Sequence, residues 1–173
     1  MNNQTNFYAG PGKLPRSVLD RIERELKNFQ GTGFSVMEIS HRSEPIVSLI
    51  ERTQEKFKRL LKLDDGDEVL FLQGGGTLQF AMVPMNLSNK GDKVDYIDTG
   101  YWSQKAINVG RELARDVSIA GTSYAGIPDA LTIRPDAKFL HLCSNNTVMG
   151  TQWFDFPKTS VPLVADMSSD ILS

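Results

Sequence analysis

The sequence is poor in the features that mark out whole classes of protein. It has one cysteine in 173 residues, Cys143, so no disulfide can form within the chain, and a reducing, cytoplasmic location is expected. It has no long block of one charge. The 19 basic and 21 acidic residues give a net charge of −2, which offers no general attraction to nucleic acid or to an anionic membrane. No apolar run approaches bilayer-spanning length, and the opening "MNNQTNFYAGPGKLP" has no apolar signal core. Internal repeats and low-complexity tracts are missing too. So are the dinucleotide fingerprint G-x-G-x-x-G and the Gly-Lys-Ser/Thr ending of a P-loop. No metal site is assigned. With 40% hydrophobic and 23% charged residues, a soluble globular fold is expected.

What is present is alternation. Residues 1–15, rich in Gly, Pro and Asn, read as an irregular arm. Val18, Leu19, Ile22, Leu26 and Phe29 recur at helical spacing between Arg16 and Phe29, and Gly31 and Gly33 stop that helix. Pro45 opens a second helix, with Ile46, Ile50, Phe57, Leu60 and Leu61 on one face, and "DDGD" at 64–67 is a turn. Val69–Leu72 predicts a short buried strand and Thr77–Leu87 a helix despite Pro84. The strand "KVDYID" and a helix over Ser103–Arg115 come next, then strands in "DVSIAG", "KFLHLC" and "VPLVAD". Short apolar strands alternating with helices imply an α/β fold with a mostly parallel sheet between helices. Ligands of such folds sit at the carboxyl ends of the strands.

The residues placed there are Gly74–Thr77, Trp102, Ser144–Thr147 and Asp166. The glycines before a helix N-terminus suit a phosphate, with the Thr77 hydroxyl as a further donor. A tight turn capped by Thr77 fits the same residues. Trp102 can stack on a flat heterocycle or fill the core. Ser144, Asn145, Asn146 and Thr147 can bond a ligand or form a turn. Asp166, ending an apolar strand, needs a partner; a protonated ring nitrogen or a helix N-terminus would serve. His141 and Cys143 read as strand residues, Cys143 as a buried apolar filler.

Taken in order, "NFYAGPGKLP", "SVMEISHRS", "VLFLQGGGTLQFAMVPMNL", "YIDTGYWSQKAI", "HLCSNNTVMGTQW" and "VADMSSDILS" resemble the N-terminal half of the phosphoserine aminotransferases, fold-type I enzymes of pyridoxal 5′-phosphate. The combination of "SHRS", "GYWS" and "ADMSS" carries the specificity. The resemblance implies that Gly76 and Thr77 contact the cofactor phosphate, Trp102 stacks on the pyridine ring, Thr147 hydrogen-bonds the cofactor and Asp166 pairs with the ring nitrogen. It also implies that His41 and Arg42 face the substrate near a homodimer interface, Arg42 binding a carboxylate or phosphate through its planar fork. The implied reaction is amino transfer between L-glutamate and 3-phosphohydroxypyruvate, giving O-phospho-L-serine and 2-oxoglutarate for serine synthesis. Some bacterial members also serve pyridoxal phosphate synthesis.

One departure qualifies these expectations. The family's Schiff-base lysine, which moves the Cα proton, lies beyond the segment matching "ADMSS", and none of the lysines here stands in its context. The expectation is therefore a 1–15 arm, a partial large cofactor-binding domain over 16–173, no C-terminal small domain, and no transamination by these residues alone. Other fold-type I enzymes, such as an alanine–glyoxylate aminotransferase or a cysteine desulfurase, and a non-catalytic cofactor-binding or interaction module are the alternatives.

Overall fold

A computed structural model describes Asn6 and residues 12–173, so most of the expected 1–15 arm lies outside the described residues. The chain divides into two compact units, residues 1–71 and 72–173.

The first unit is helical. α1 (Arg16–Lys27) is laced by surface ion pairs at i,i+4 spacing, Arg16–Asp20 at 2.9 Å and Glu23–Lys27 at 3.2 Å. Its apolar stripe forms as the periodicity requires, yet Val18, Leu19, Ile22 and Leu26 each keep 40–49% of their surface exposed. A 3₁₀ turn at Phe29–Gly31 comes next and buries Phe29. α2 (Glu44–Leu61) has Pro45 in its first turn, where a missing N–H costs nothing, and ends on Lys62 in the left-handed conformation.

Val69–Leu72 is not the buried strand that its composition predicts. Among the described residues it pairs with no other strand, and Leu70, Phe71 and Leu72 are 52–69% exposed. A strand exists only through its ladder, and this segment makes different contacts. The Val69 carbonyl accepts a hydrogen bond from Gln54 Nε2 at 2.8 Å, and the Phe71 ring meets the Phe57 ring edge-on at 5.9 Å.

The second unit holds α3 (Gly75–Leu87), β1 (Lys93–Asp98), α4 (Tyr101–Glu112), β2 (Asp116–Thr122), β3 (Leu140–Cys143), the short hairpin β4 (Asn145–Asn146) and β5 (Thr151–Gln152), and β6 (Leu163–Asp166). α4 begins two residues before, and ends three residues before, the span its apolar pattern suggests. The left-handed Ala114 (φ 56°) lies just past its end. Four strands form one parallel sheet in the order β2-β1-β3-β6. The register sets Tyr96 beside His141 and Cys143 beside Asp166, so the strands finish along one edge.

Alternation along the strands sorts the side chains between two faces. On one, Val94, Tyr96 and Phe139 pack with Phe80 of α3 and Ala106 and Ile107 of α4. On the other, Ile97, Leu140 and Leu142 pack with Ala137, Trp153 and Val161. Asp95 also lies on this second face, fully buried and held by Arg134. Among the described residues, no helix is long and apolar enough to cross a membrane.

Candidate functional site

The site is built from the turns and loops that leave the strands at the carboxyl edge of the sheet. After β1 the chain turns at once into α4, and the turn is held by side chains. Ser103, in the first turn of the helix, accepts hydrogen bonds from the Thr99 and Gly100 amides, each at 2.9 Å, and lies 2.8 Å from Asp98 Oδ1. Tyr124 donates to Asp98 Oδ2 at 2.8 Å. Gly100 adopts φ 129°, and a Cβ there would stand 2.8 Å from Asn146 Nδ2. Only glycine suits both demands.

Asn146 joins this turn to the loop after β3. Its amide donates to the Thr99 carbonyl, and its Oδ1 accepts from the Val148 and Met149 amides at 3.2 and 3.3 Å. The consequence is a meeting of two residues far apart in sequence. Trp102 Nε1 donates to Thr147 Oγ1 at 3.1 Å. The Trp102 ring is half-buried, with the Tyr101 ring edge-on at 4.9 Å and the Lys105 ammonium 5.2 Å from its centroid.

A second cluster forms where α3 begins. Among the described residues no side chain caps this helix, and the first amide to reach back is Leu78's, to the Gly74 carbonyl at 3.3 Å. The leading amides of Gly75, Gly76 and Thr77 have no earlier helical carbonyl to bond, and the positive end of the helix dipole lies there. Thr77 is therefore the third helical residue and not the N-cap; Gly74, at φ 98°, takes that place. Gly76 lies against the end of β6: a Cβ on it would stand 2.7 Å from Ser168 Oγ and 3.8 Å from Asp166 Oδ1.

Asp166 is half-buried. Ser168 donates to its Oδ1 through the hydroxyl at 2.5 Å and the amide at 3.2 Å, and the Cys143 thiol lies 3.6 Å from its Oδ2. Below it on the helix-covered face, burial pushes His141 down to about 4, against the opposing pull of Asp166. Burial and the nearby Asp166 carboxylate both push the Cys143 thiol up, so it stays protonated.

The structure thus brings Trp102 together with Thr147, and Gly76 with Asp166, all along one edge of the sheet. His41 and Arg42 belong to the first unit. Both are exposed on a turn in which the Arg42 amide donates to Ser40 Oγ at 3.2 Å.

Comparison with known proteins bears on this arrangement. The profile of the family "Aminotransferase class-V" matches residues 5–173. The chain belongs to the class-V aminotransferases. It is 49% identical to a phosphoserine aminotransferase of Syntrophobacter fumaroxidans over 97% of its own length and 48% of the relative's. A solved phosphoserine aminotransferase structure superposes with a TM-score of 0.93 at 45% identity, over 98% of this chain and 49% of that one. The phosphoserine aminotransferase of Trichomonas vaginalis, solved with PLP bound, gives a TM-score of 0.88 at 33% identity over 95% of this chain and 48% of its own. This class-V aminotransferase chain spans about half the length of the curated relatives it matches, their N-terminal half.

Several residues that shape this edge of the sheet escaped the sequence reading. Ser103 and Asp98 set the turn under Trp102, and Ser168 holds Asp166. Short-range signals for both existed. A serine three residues after Gly100 can reach back to the amides of a helix start, and an aspartate with a serine two residues on forms a local side-chain turn.

Proposed function

We propose that this chain forms the cofactor-binding part of a phosphoserine aminotransferase, transferring an amino group between L-glutamate and 3-phosphohydroxypyruvate with pyridoxal 5′-phosphate. The observation that carries the reading is the half-buried Asp166 carboxylate at the end of β6, set against the uncapped N-terminus of α3 at Gly76. The residues fit the cofactor's chemistry. A phosphate suits the amides of Gly76 and Thr77, which offer donors and a positive dipole end without a competing side chain. A pyridine nitrogen suits Asp166, an anion that can hold it protonated. A flat ring suits the half-buried face of Trp102, and Thr147 is fixed beside it by the indole N–H.

Bound there, pyridoxal phosphate supplies an electron sink that makes an amino acid's Cα proton removable. The chain's own residues bind and orient. Asp166 keeps a counter-charge at the ring nitrogen, Trp102 fixes the ring plane, and the α3 N-terminus fixes the phosphate. The family resemblance assigns His41 and Arg42 to the substrate, and the planar guanidinium fork of Arg42 suits a carboxylate or phosphate. The family resemblance supports a cytoplasmic homodimer.

The test is spectrophotometric. The protein is titrated with pyridoxal 5′-phosphate, and the loaded protein is then offered phosphoserine, L-glutamate, alanine and cysteine in turn. Saturable binding that Asp166→Ala abolishes, with a response to phosphoserine and L-glutamate but not to alanine or cysteine, is expected. Binding that ignores Asp166, or a response to alanine or cysteine larger than free pyridoxal 5′-phosphate gives with the same amino acid, would refute the reading.

A further inference from the structure

We propose that Ser168 is a positioning residue for Asp166, and that position 76 is glycine to leave room for it. The inference rests on the cofactor site proposed above, with Asp166 as the partner of a ring nitrogen.

Three elements converge on this carboxylate, and they treat its two oxygens differently. Oδ1 accepts both the hydroxyl (2.5 Å) and the amide (3.2 Å) of Ser168. The hydroxyl contact is in the range of a charge-assisted bond. Oδ2 has the Cys143 thiol at 3.6 Å, a weak donor. A carboxylate held this way on one oxygen cannot rotate freely about its Cβ–Cγ bond, so its remaining acceptor capacity points in one direction.

Gly76 adds an independent constraint from α3. It carries no unusual positive φ, unlike its neighbours Gly74 and Gly75, so its backbone does not demand glycine. The space does: a Cβ there would lie 2.7 Å from Ser168 Oγ, well inside van der Waals contact. Serine has one side-chain torsion, and swinging the hydroxyl away from that Cβ takes it off Asp166. An alanine at 76 would keep the amide that a phosphate needs. Its harm should therefore pass through Ser168, whereas a role confined to the phosphate loop predicts an effect independent of Ser168.

The experiment is a pyridoxal 5′-phosphate binding titration of the protein and of Ser168→Ala, Ser168→Thr, Gly76→Ala, the Gly76→Ala/Ser168→Ala double variant and Asp166→Ala. Near-UV circular dichroism establishes the fold of each. Ser168→Ala should weaken binding about tenfold, as loss of a hydrogen bond to a charged group implies. Ser168→Thr, which keeps the hydroxyl, should bind like wild type. Gly76→Ala should cost a similar factor alone and little more once Ser168 is already alanine. Ser168→Ala should also move the pH at which the bound cofactor's absorption band changes, a readout that lost packing alone leaves in place. Wild-type binding by Ser168→Ala, or additive losses in the double variant, would overturn the proposal while a loss in Asp166→Ala upholds the cofactor site. Wild-type binding by Asp166→Ala would overturn the cofactor site itself.

Discussion

Two ion pairs in the second unit have the same length and should have very different worth. Arg134 Nε reaches Asp95 Oδ1 at 2.7 Å, and Lys93 Nζ reaches Asp136 Oδ2 at 2.7 Å. The Asp95 side chain is 0% exposed and that of Arg134 24%, whereas Lys93 and Asp136 are 44% and 61% exposed. Arg134 also donates from its backbone amide to Asp95 Oδ2 at 2.6 Å, and from Nη2 to the Val94 and Asp116 carbonyls at 3.0 and 2.7 Å. Arg134→Ala would leave a carboxylate in the core without its counter-ion, a loss of about 3–5 kcal/mol. Lys93→Ala should cost under about 1 kcal/mol, because water competes for an exposed pair. Both tryptophans, Trp102 and Trp153, lie in the second unit, so their fluorescence reports its unfolding alone. With a urea slope of about 2 kcal/mol per molar, Arg134→Ala should lower the midpoint by about 1.5–2.5 M, and Lys93→Ala by less than about 0.5 M. Equal shifts for the two variants would refute the argument that burial sets the value of these pairs.

Three further outcomes are expected. His141 is held below its unfolded value of 6.5, at about 4, so the unfolded chain binds the proton more readily and stability is lost as pH falls from 6.5 to 4. The loss totals about 3 kcal/mol, and His141→Leu should flatten that acid limb in urea melts at stepped pH. Burial pushes Tyr96 from 10.0 up to about 12, with Arg115 opposing, so stability should be lost as pH rises from 10 to 12. Tyr96→Phe should remove this alkaline loss at little cost, since the buried hydroxyl has no hydrogen-bond partner among the described residues; a costly Tyr96→Phe would contradict that picture. Gly100→Ala should cost about 1–3 kcal/mol, through an unfavourable φ and contact with Asn146, and should change Trp102 emission as its link to Thr147 loosens. An unchanged midpoint and spectrum would refute it.

Much of this was legible in the chain, for identifiable reasons. Pro45 marks a helix start because its fixed backbone angle suits a first turn, whereas the first helix ends at Lys27, before Gly31 and Gly33, whose positive φ shapes the turn that follows. The strand-end positions of Trp102, Thr147 and Asp166 came from alternation alone, since a parallel sheet gathers the residues just past every strand on one edge. Local patterning could not give pairing. Val69–Leu72 has the composition of a buried strand, but a strand's existence depends on a partner that four apolar residues do not specify. Nor could it give the Trp102–Thr147 contact, which joins residues 45 positions apart through a turn that Asn146 and Gly100 shape. Asp166 was expected to need a partner, and the serine two residues on, a local signal left unused, already occupies one of its oxygens.

The contact of Gly76 with Ser168 has a kinetic side. These two residues stand near opposite ends of the second unit's sequence, and β1, β2, β3 and β6 must all find their register before they can meet. Closing so long a loop costs chain entropy, so the pocket exists only once the sheet that joins its two sides has formed. A ligand that bridges α3 and β6 would then act as a clasp on the whole sheet. Its binding energy would appear directly as resistance to unfolding, growing with ligand concentration, and the rate at which binding competence returns after refolding would time the completion of the fold.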